Sequence, residues 1–155
     1  MSEVQIKFIK THPDAILPTK GHDDDNCFDL YAVEDVLIPE TRTSLYSAQV
    51  TVGNAIVPVG LSVGDITPGF GITIKGRSGL GFKFGLTPHQ GEIDNGYRGD
   101  IGVKLYNLSG KPYTVKKGER VAQFKIEKVY DTTLEFVSDA TSSNRGDGKF
   151  GSTGK

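Results

Sequence analysis

Apolar and polar residues alternate with a period of two along most of this chain. Val4, Ile6 and Phe8 alternate with Gln5 and Lys7, Ile72 and Ile74 with Thr73 and Lys75, and Phe124 and Ile126 with Gln123 and Lys125. Shorter cases are Val50-Thr51-Val52 and Leu134-Glu135-Phe136, and Ile101, Val103 and Leu105 share one parity. Such alternation puts successive side chains on opposite faces of a strand. Turn residues punctuate the runs at Pro39, Gly53-Asn54, Gly64-Asp65, Pro68-Gly69, Ser109-Gly110 and Lys117-Gly118. No long segment repeats every 3.6 residues, so at most one short helix is expected, around Arg77 to Phe82. The pattern predicts an all-β fold, a sandwich, jelly roll or barrel.

The last segment breaks the pattern. Residues 138–155 are rich in Ser, Gly and Thr with a single aromatic, Phe150. Such a tail cannot bury enough apolar surface to fold alone. The expected organisation is a β domain over residues 1–137 and a flexible tail over 138–155.

Composition narrows the setting. A chain of 155 residues fits one domain with an ordinary core. Its net charge of −1 implies no general affinity for nucleic acid. No apolar run would span a bilayer, and the amino terminus reads as a mixed strand rather than a signal peptide. One cysteine, Cys27, rules out an internal disulfide and agrees with a reducing, cytoplasmic setting.

Several clusters carry candidate chemistry. Gly91 to Asp100 holds Asp94 and Tyr97 three residues apart among glycines, and reads as a tight hairpin with a functional loop. Arg77-Ser78-Gly79-Leu80 combines a guanidinium, a hydroxyl and a glycine amide, the parts of an anion cradle, though an ordinary strand-ending turn would look the same. In Gly118 to Phe124, Phe124 faces the core and Gln123 the other side, where it meets either solvent or a ligand. In the tail, Arg145 and Phe150 pair a cation with a stacking ring. Gly148 and Gly154-Lys155 are spaced one residue too far for a P-loop, and no helix can follow. Arg-Gly-Asp occurs at Arg98 to Asp100 and at Arg145 to Asp147, a short match of little weight in a glycine-rich chain. The run His22 to Asn26 lacks the spaced glycine and distal Glu of an EF-hand and reads as a solvated turn. His12 and His89 have no partners at zinc spacing. Together the Arg/Ser/Gly clusters and the Asp94 loop suggest a nucleoside triphosphate site.

The order of these motifs is more specific than any one of them. Cys27-Phe28-Asp29-Leu30-Tyr31-Ala32, Arg77 to Leu80, the Asp94/Tyr97 loop, Gly118 to Gln123 and the Arg145 to Gly154 tail follow one another as in the homotrimeric dUTPases, which this chain resembles from Phe28 to Gly154. The resemblance implies a jelly-roll-like β-barrel, three subunits sharing three active sites, and Mg²⁺-dependent hydrolysis of dUTP to dUMP and pyrophosphate, a reaction that limits uracil in DNA and supplies dUMP for thymidylate synthesis. It implies catalysis by Asp94, which would activate the water and meet the 3′-hydroxyl. Tyr97 would pack on deoxyribose and exclude a 2′-hydroxyl. Arg77, Ser78, Gly79 and Gln123 would bind phosphate, and Asp29 would reach the metal through water. Arg145, Phe150, Gly151, Ser152 and Thr153 would clamp the γ-phosphate and cover uracil. Many bacterial members carry an Asn where Pro88 stands here, so base reading falls to the backbone of Gly91 and Ile93 or to Gln90. The resemblance also implies a cytoplasmic enzyme (host cytoplasm if viral) without stable nucleic-acid or membrane binding. Two other readings stay open: a dCTP deaminase, which shares the fold, and a nucleotide-dependent binding module.

Overall fold

The structure, a computed structural model, describes residues 3–144 and 146–147. In chain order its elements are β1 (Ile6–Lys10), β2 (Phe28–Tyr31), β3 (Val36–Ile38), β4 (Arg42–Thr43), β5 (Val50–Thr51), β6 (Gly53–Ile66), β7 (Phe70–Lys75), α1 (Ser78–Phe84), β8 (Leu86–Pro88), β9 (Glu92–Ile93), β10 (Asp100–Asn107), β11 (Tyr113–Val115) and β12 (Arg120–Lys128). Two four-stranded antiparallel sheets, ordered β1-β6-β10-β8 and β2-β12-β7-β9, carry the fold, with the short pairs β11-β3 and β4-β5 at the periphery. The expectation of a jelly-roll-like β fold with one short helix holds.

Period-two alternation explains the first sheet. Along β6, Val57, Val59, Leu61 and Val63 are buried, and along β10 Ile101, Val103 and Leu105 are buried between exposed neighbours. They meet Leu30, Ile72, Ala122 and Phe124 of the second sheet in one apolar cluster. The core therefore lies between the sheets, where each side chain leaves water for about 1.5–3 kcal/mol.

Helix α1 starts one residue later and ends two later than expected. Arg77 is its N-cap and Leu80 its buried anchor, while Gly85 ends it in the left-handed region at φ 68°, its N–H returning to the Gly81 carbonyl. Glycine alone takes that backbone without a Cβ penalty.

Several local signals read differently in the fold, mostly where strand pairing overrides them. Gly53-Asn54 and Gly64-Asp65 are not turns; both lie inside the 14-residue β6, where Gly64 is the extra residue of a bulge opposite Lys7 and Phe8 of β1. The Val50 alternation yields only a two-residue strand, exposed on both sides and paired with β4 alone. Thr73 does not face solvent: it is buried because β9 covers β7, and its hydroxyl donates to both oxygens of Glu92 at 2.8 and 3.0 Å. Leu134-Glu135-Phe136 forms no strand, and Leu134 and Phe136 are fully exposed. The run His22 to Asp25 is a turn as expected, closed by Asp25 N–H on the His22 carbonyl at 3.1 Å.

Candidate active site

The Asp94 loop is built differently from a tight hairpin. β9 pairs with β7 in one sheet, whereas β10 pairs with β6 and β8 in the other. The two strands are splayed, and the loop from Asp94 to Gly99 crosses from sheet to sheet. A cavity of about 240 Å³ opens between them, lined among others by Gly91, Ile93, Asp94, Tyr97, Gly102 and His89. β9 and β10 belong to different sheets and do not pair with each other across the cavity, the arrangement that lets a planar ligand take the place of a strand partner.

Side chains hold the loop in place. Asp94 and Tyr97 are the ends of a turn, with Tyr97 N–H donating to the Asp94 carbonyl at 3.0 Å. The Tyr97 hydroxyl donates to the Asp100 carbonyl at 3.0 Å, so the ring folds back over Gly99. A Cβ at Gly99 would sit 2.6 Å from the Tyr97 Cζ, so only glycine leaves the ring its place. Asn95 is the anchor: its Nδ2 lies 3.1, 3.1 and 3.0 Å from the carbonyls of Ile66, Thr67 and Phe70, tying the loop to the β6–β7 turn.

A second concavity lies past the end of β7, lined by Gly76, Arg77, Ser78 and Gln123 together with Thr87 and Leu86. Arg77 Nε donates to Asp29 Oδ1 at 3.0 Å, and Arg120 Nη1 reaches Asp29 Oδ2 at 3.3 Å. Gln123 Nε2 donates to the Gly76 carbonyl at 2.8 Å, fixing the backbone just before Arg77. Register places Gln123 opposite Asp29 on β2 and opposite Lys75 on β7, so three strands converge behind the arginine. At Gly79 nothing lies within 4 Å of where a Cβ would stand.

The structure thus sorts the residues expected to act into two groups on one chain. Asp94, Tyr97, Gly91 and Ile93 share the first cavity; Arg77, Ser78 and Gln123 share the second, with Asp29 behind it. Gln90 is exposed and lines neither, whereas its neighbour His89 lines the first cavity with its Nδ1 3.4 Å from the Tyr106 hydroxyl. Arg145, Phe150, Gly151, Ser152 and Thr153 lie outside the described residues. Sequence reasoning passed over Asn95 and Arg120, and weighed His89 only as a zinc ligand. Arg120 sits in the quoted Gly118 to Phe124 stretch, but a bulge between Arg120 and Ala122 changes which way it faces. Among the described residues, no group of three or more His, Cys, Asp or Glu side chains is placed to hold a metal ion. Asp29 has an arginine on each oxygen and is only 7% exposed.

Comparison with known proteins places these features in a family. A model of the dUTPase family matches residues 13–154. The deoxyuridine 5′-triphosphate nucleotidohydrolase of Solibacter usitatus is 36% identical over 159 residues, covering 100% of this chain and 99% of that protein. The enzyme of the same name from Clostridium tetani is 36% identical over 157 residues and covers 100% of both, and that of Candida albicans is 35% identical over 99% of this chain and 91% of its own. In fold, the chain matches the Staphylococcus bacteriophage 80alpha dUTPase with dUpNHpp at a TM-score of 0.80 over 100% of both chains, with 24% identity. A family match across nearly the whole chain, and relatives matched end to end, agree with the two-sheet fold and its two concavities: the chain belongs to the dUTPase family.

Proposed function

We propose that this chain hydrolyses dUTP to dUMP and pyrophosphate by attack of water on the α-phosphorus. The observation that carries the assignment is the single turn that sets Asp94 and Tyr97 at the mouth of the cavity between β9 and β10. Base, sugar and water can be held there at once.

The chemistry sets the roles. Uracil enters the cavity and is read by the backbone of Gly91, Ile93 and Gly102, which line it. A base that mismatched them would leave a buried polar group unpaired, at about 1–3 kcal/mol. Tyr97, fixed by Asp100 and Gly99, presents a flat face to deoxyribose and leaves no room for a 2′-hydroxyl. Asp94 is exposed at the mouth and accepts the proton of the attacking water as general base. Arg77, Ser78, the Gly79 amide and Gln123 take the phosphates, where donors fixed in advance stabilise the charge that develops on the way to the transition state. Mg²⁺, when bound, neutralises phosphate oxygens; its preference for phosphate and water ligands matches a chain that builds no acidic cage of its own among the described residues. Asp29 would meet only water bound to that ion.

In a single copy the two groups line separate concavities. This supports active sites shared between copies of a homotrimer, Asp94 and Tyr97 coming from one subunit and Arg77 from another. The segment after β12 supports it too: Val129, Tyr130, Leu134, Phe136 and Val137 are all exposed on this chain, more apolar surface than one short segment of a monomer keeps in water. Residues 138–155 would then form the tail that closes over the site, with Arg145, Ser152 and Thr153 on phosphate, Phe150 over uracil and Gly151 allowing the close approach. No helix among the described residues is long and apolar enough to cross a membrane.

The test is a hydrolysis panel of dUTP, dCTP, dTTP and UTP, with pyrophosphate and ammonia both measured, on the wild type and Asp94→Asn. Pyrophosphate from dUTP alone is expected, with turnover of the variant lower by about a thousandfold. Ammonia released from dCTP would make the chain a deaminase instead, and full turnover by Asp94→Asn would remove Asp94 from its role.

A further inference from the structure

Arg120 has no part in the reaction as described so far, and Asp29 only a remote one, yet with Arg77 they form a charge cluster around a buried carboxylate. Asp29 is 7% exposed on β2. Its oxygens are engaged separately, Oδ1 by Arg77 Nε at 3.0 Å and Oδ2 by Arg120 Nη1 at 3.3 Å. The cluster closes on itself, because Arg77 Nη1 also reaches the Arg120 carbonyl at 3.4 Å. The arginines come from the two central strands of the second sheet, Arg77 from just past the end of β7 and Arg120 from the start of β12, and the edge strand β2 supplies the carboxylate that both reach.

We infer that Asp29 and Arg120 are positioning residues for Arg77, which together form a two-arginine anion clamp with one net positive charge. The reasoning is electrostatic and geometric. A buried carboxylate paired with Arg77 alone would orient that guanidinium but cancel its charge, leaving a poor phosphate site. A second guanidinium on the far oxygen restores a net positive charge without loosening the first. An arginine has five N–H donors in a planar fork. Two of those on Arg77 are spent on Asp29 and on the Arg120 carbonyl, so its remaining edge is fixed in orientation and turned to the concavity that it shares with Ser78 and Gln123. Rigid donors lose less freedom on binding than a free side chain would. The inference rests on the proposed reaction only for the identity of the anion.

Inorganic tripolyphosphate, which carries the charge without the nucleoside, separates the two. Its binding to the full chain is measured by calorimetry, alongside kcat and KM for dUTP at saturating Mg²⁺, for the wild type, Arg120→Gln, Arg120→Lys and Asp29→Asn. Arg120 is half-exposed at a strand end, so its variants are expected to fold, with melting temperature as the check. Arg120→Gln is expected to weaken tripolyphosphate binding and raise KM about tenfold, the size of one charge-assisted hydrogen bond, with kcat little changed. Arg120→Lys keeps the charge but not the fork and should recover part of the loss. Adding Arg120→Gln to Asp29→Asn should cost less than the sum of the two, as for residues acting through one partner. Wild-type tripolyphosphate binding by a folded Arg120→Gln overturns the clamp. So does an Asp29→Asn variant that binds tripolyphosphate normally and only needs more Mg²⁺, since Asp29 would then serve the ion. A wild type that binds tripolyphosphate, and loses it on Arg120→Gln, but does not hydrolyse dUTP would sink the proposed reaction and leave the clamp standing.

Discussion

At the scale of single residues, the site depends on side chains that hold other side chains. Asn95 shows the same for backbone, since its two N–H donors are shared among three backbone carbonyls within hydrogen-bonding distance. Asn95→Ala should cost about 2 kcal/mol of stability, because buried carbonyls lose their donor. Asn95→Asp, nearly the same shape, should cost more, because a carboxylate would face three carbonyl oxygens. Chemical denaturation of the two variants ranks them, and an Asp variant as stable as the Ala one would refute the anchor. Asn95 was legible in the sequence only as part of an Asp-Asn-Gly turn; its acceptors lie 25 to 29 residues away along the chain. Asp94 and Tyr97 were legible because glycines and a fixed spacing mark them locally. Arg120 was not, because a strand bulge decides its direction.

At the scale of elements, the loop between β11 and β12 is clamped by charge. Asp35 accepts from Lys116 Nζ at 2.8 Å and from the Lys117 amide at 2.8 Å, which together hold its carboxyl below the usual range. Asp14 is likewise held low by its hydrogen bond to Lys117. Tyr113 closes the same region: its hydroxyl donates to Glu119, and burial first, then that bond, pushes its phenol up to about 12. The sign follows. The folded phenol ionises later than the unfolded one near 10, so the unfolded state releases its proton first as pH rises. The contribution of Tyr113 is complete below pH 10 and is lost between about 10 and 12. Tyr113→Phe should cost about 1 kcal/mol at neutral pH and flatten the alkaline fall in stability. Urea midpoints measured at pH 8, 10 and 11.5 test it, and a variant with the same alkaline slope as the wild type would show that the phenol is not responsible.

At the scale of the whole molecule, the question is what one chain leaves unfinished. The two concavities and the exposed residues 129–137 both point to a neighbouring copy. Leu134→Asp with Phe136→Asp should reduce a trimer to smaller species and lower turnover, as read by light scattering and kinetics. Ending the chain after Val137 should instead keep the trimer while lowering kcat about a hundredfold, the cost of losing fixed donors to phosphate. A trimer that survives the paired Asp substitutions would rule out the segment as an intersubunit arm, and unchanged kinetics after truncation would rule out the tail as a closing element.

The sequence by itself determined the class of fold and most of the residues proposed to act. Side-chain alternation is a local property with a fixed period, glycine and turn residues are local too, and motif order is read directly along the chain. Tertiary structure alone decided that β9 and β10 part to opposite sheets, that β6 runs through two apparent turns, that Thr73 is covered and that Asp29 joins two arginines. Each of these depends on which strand lies beside which, a free-energy balance over contacts between residues far apart in the chain, and no local window of sequence contains it.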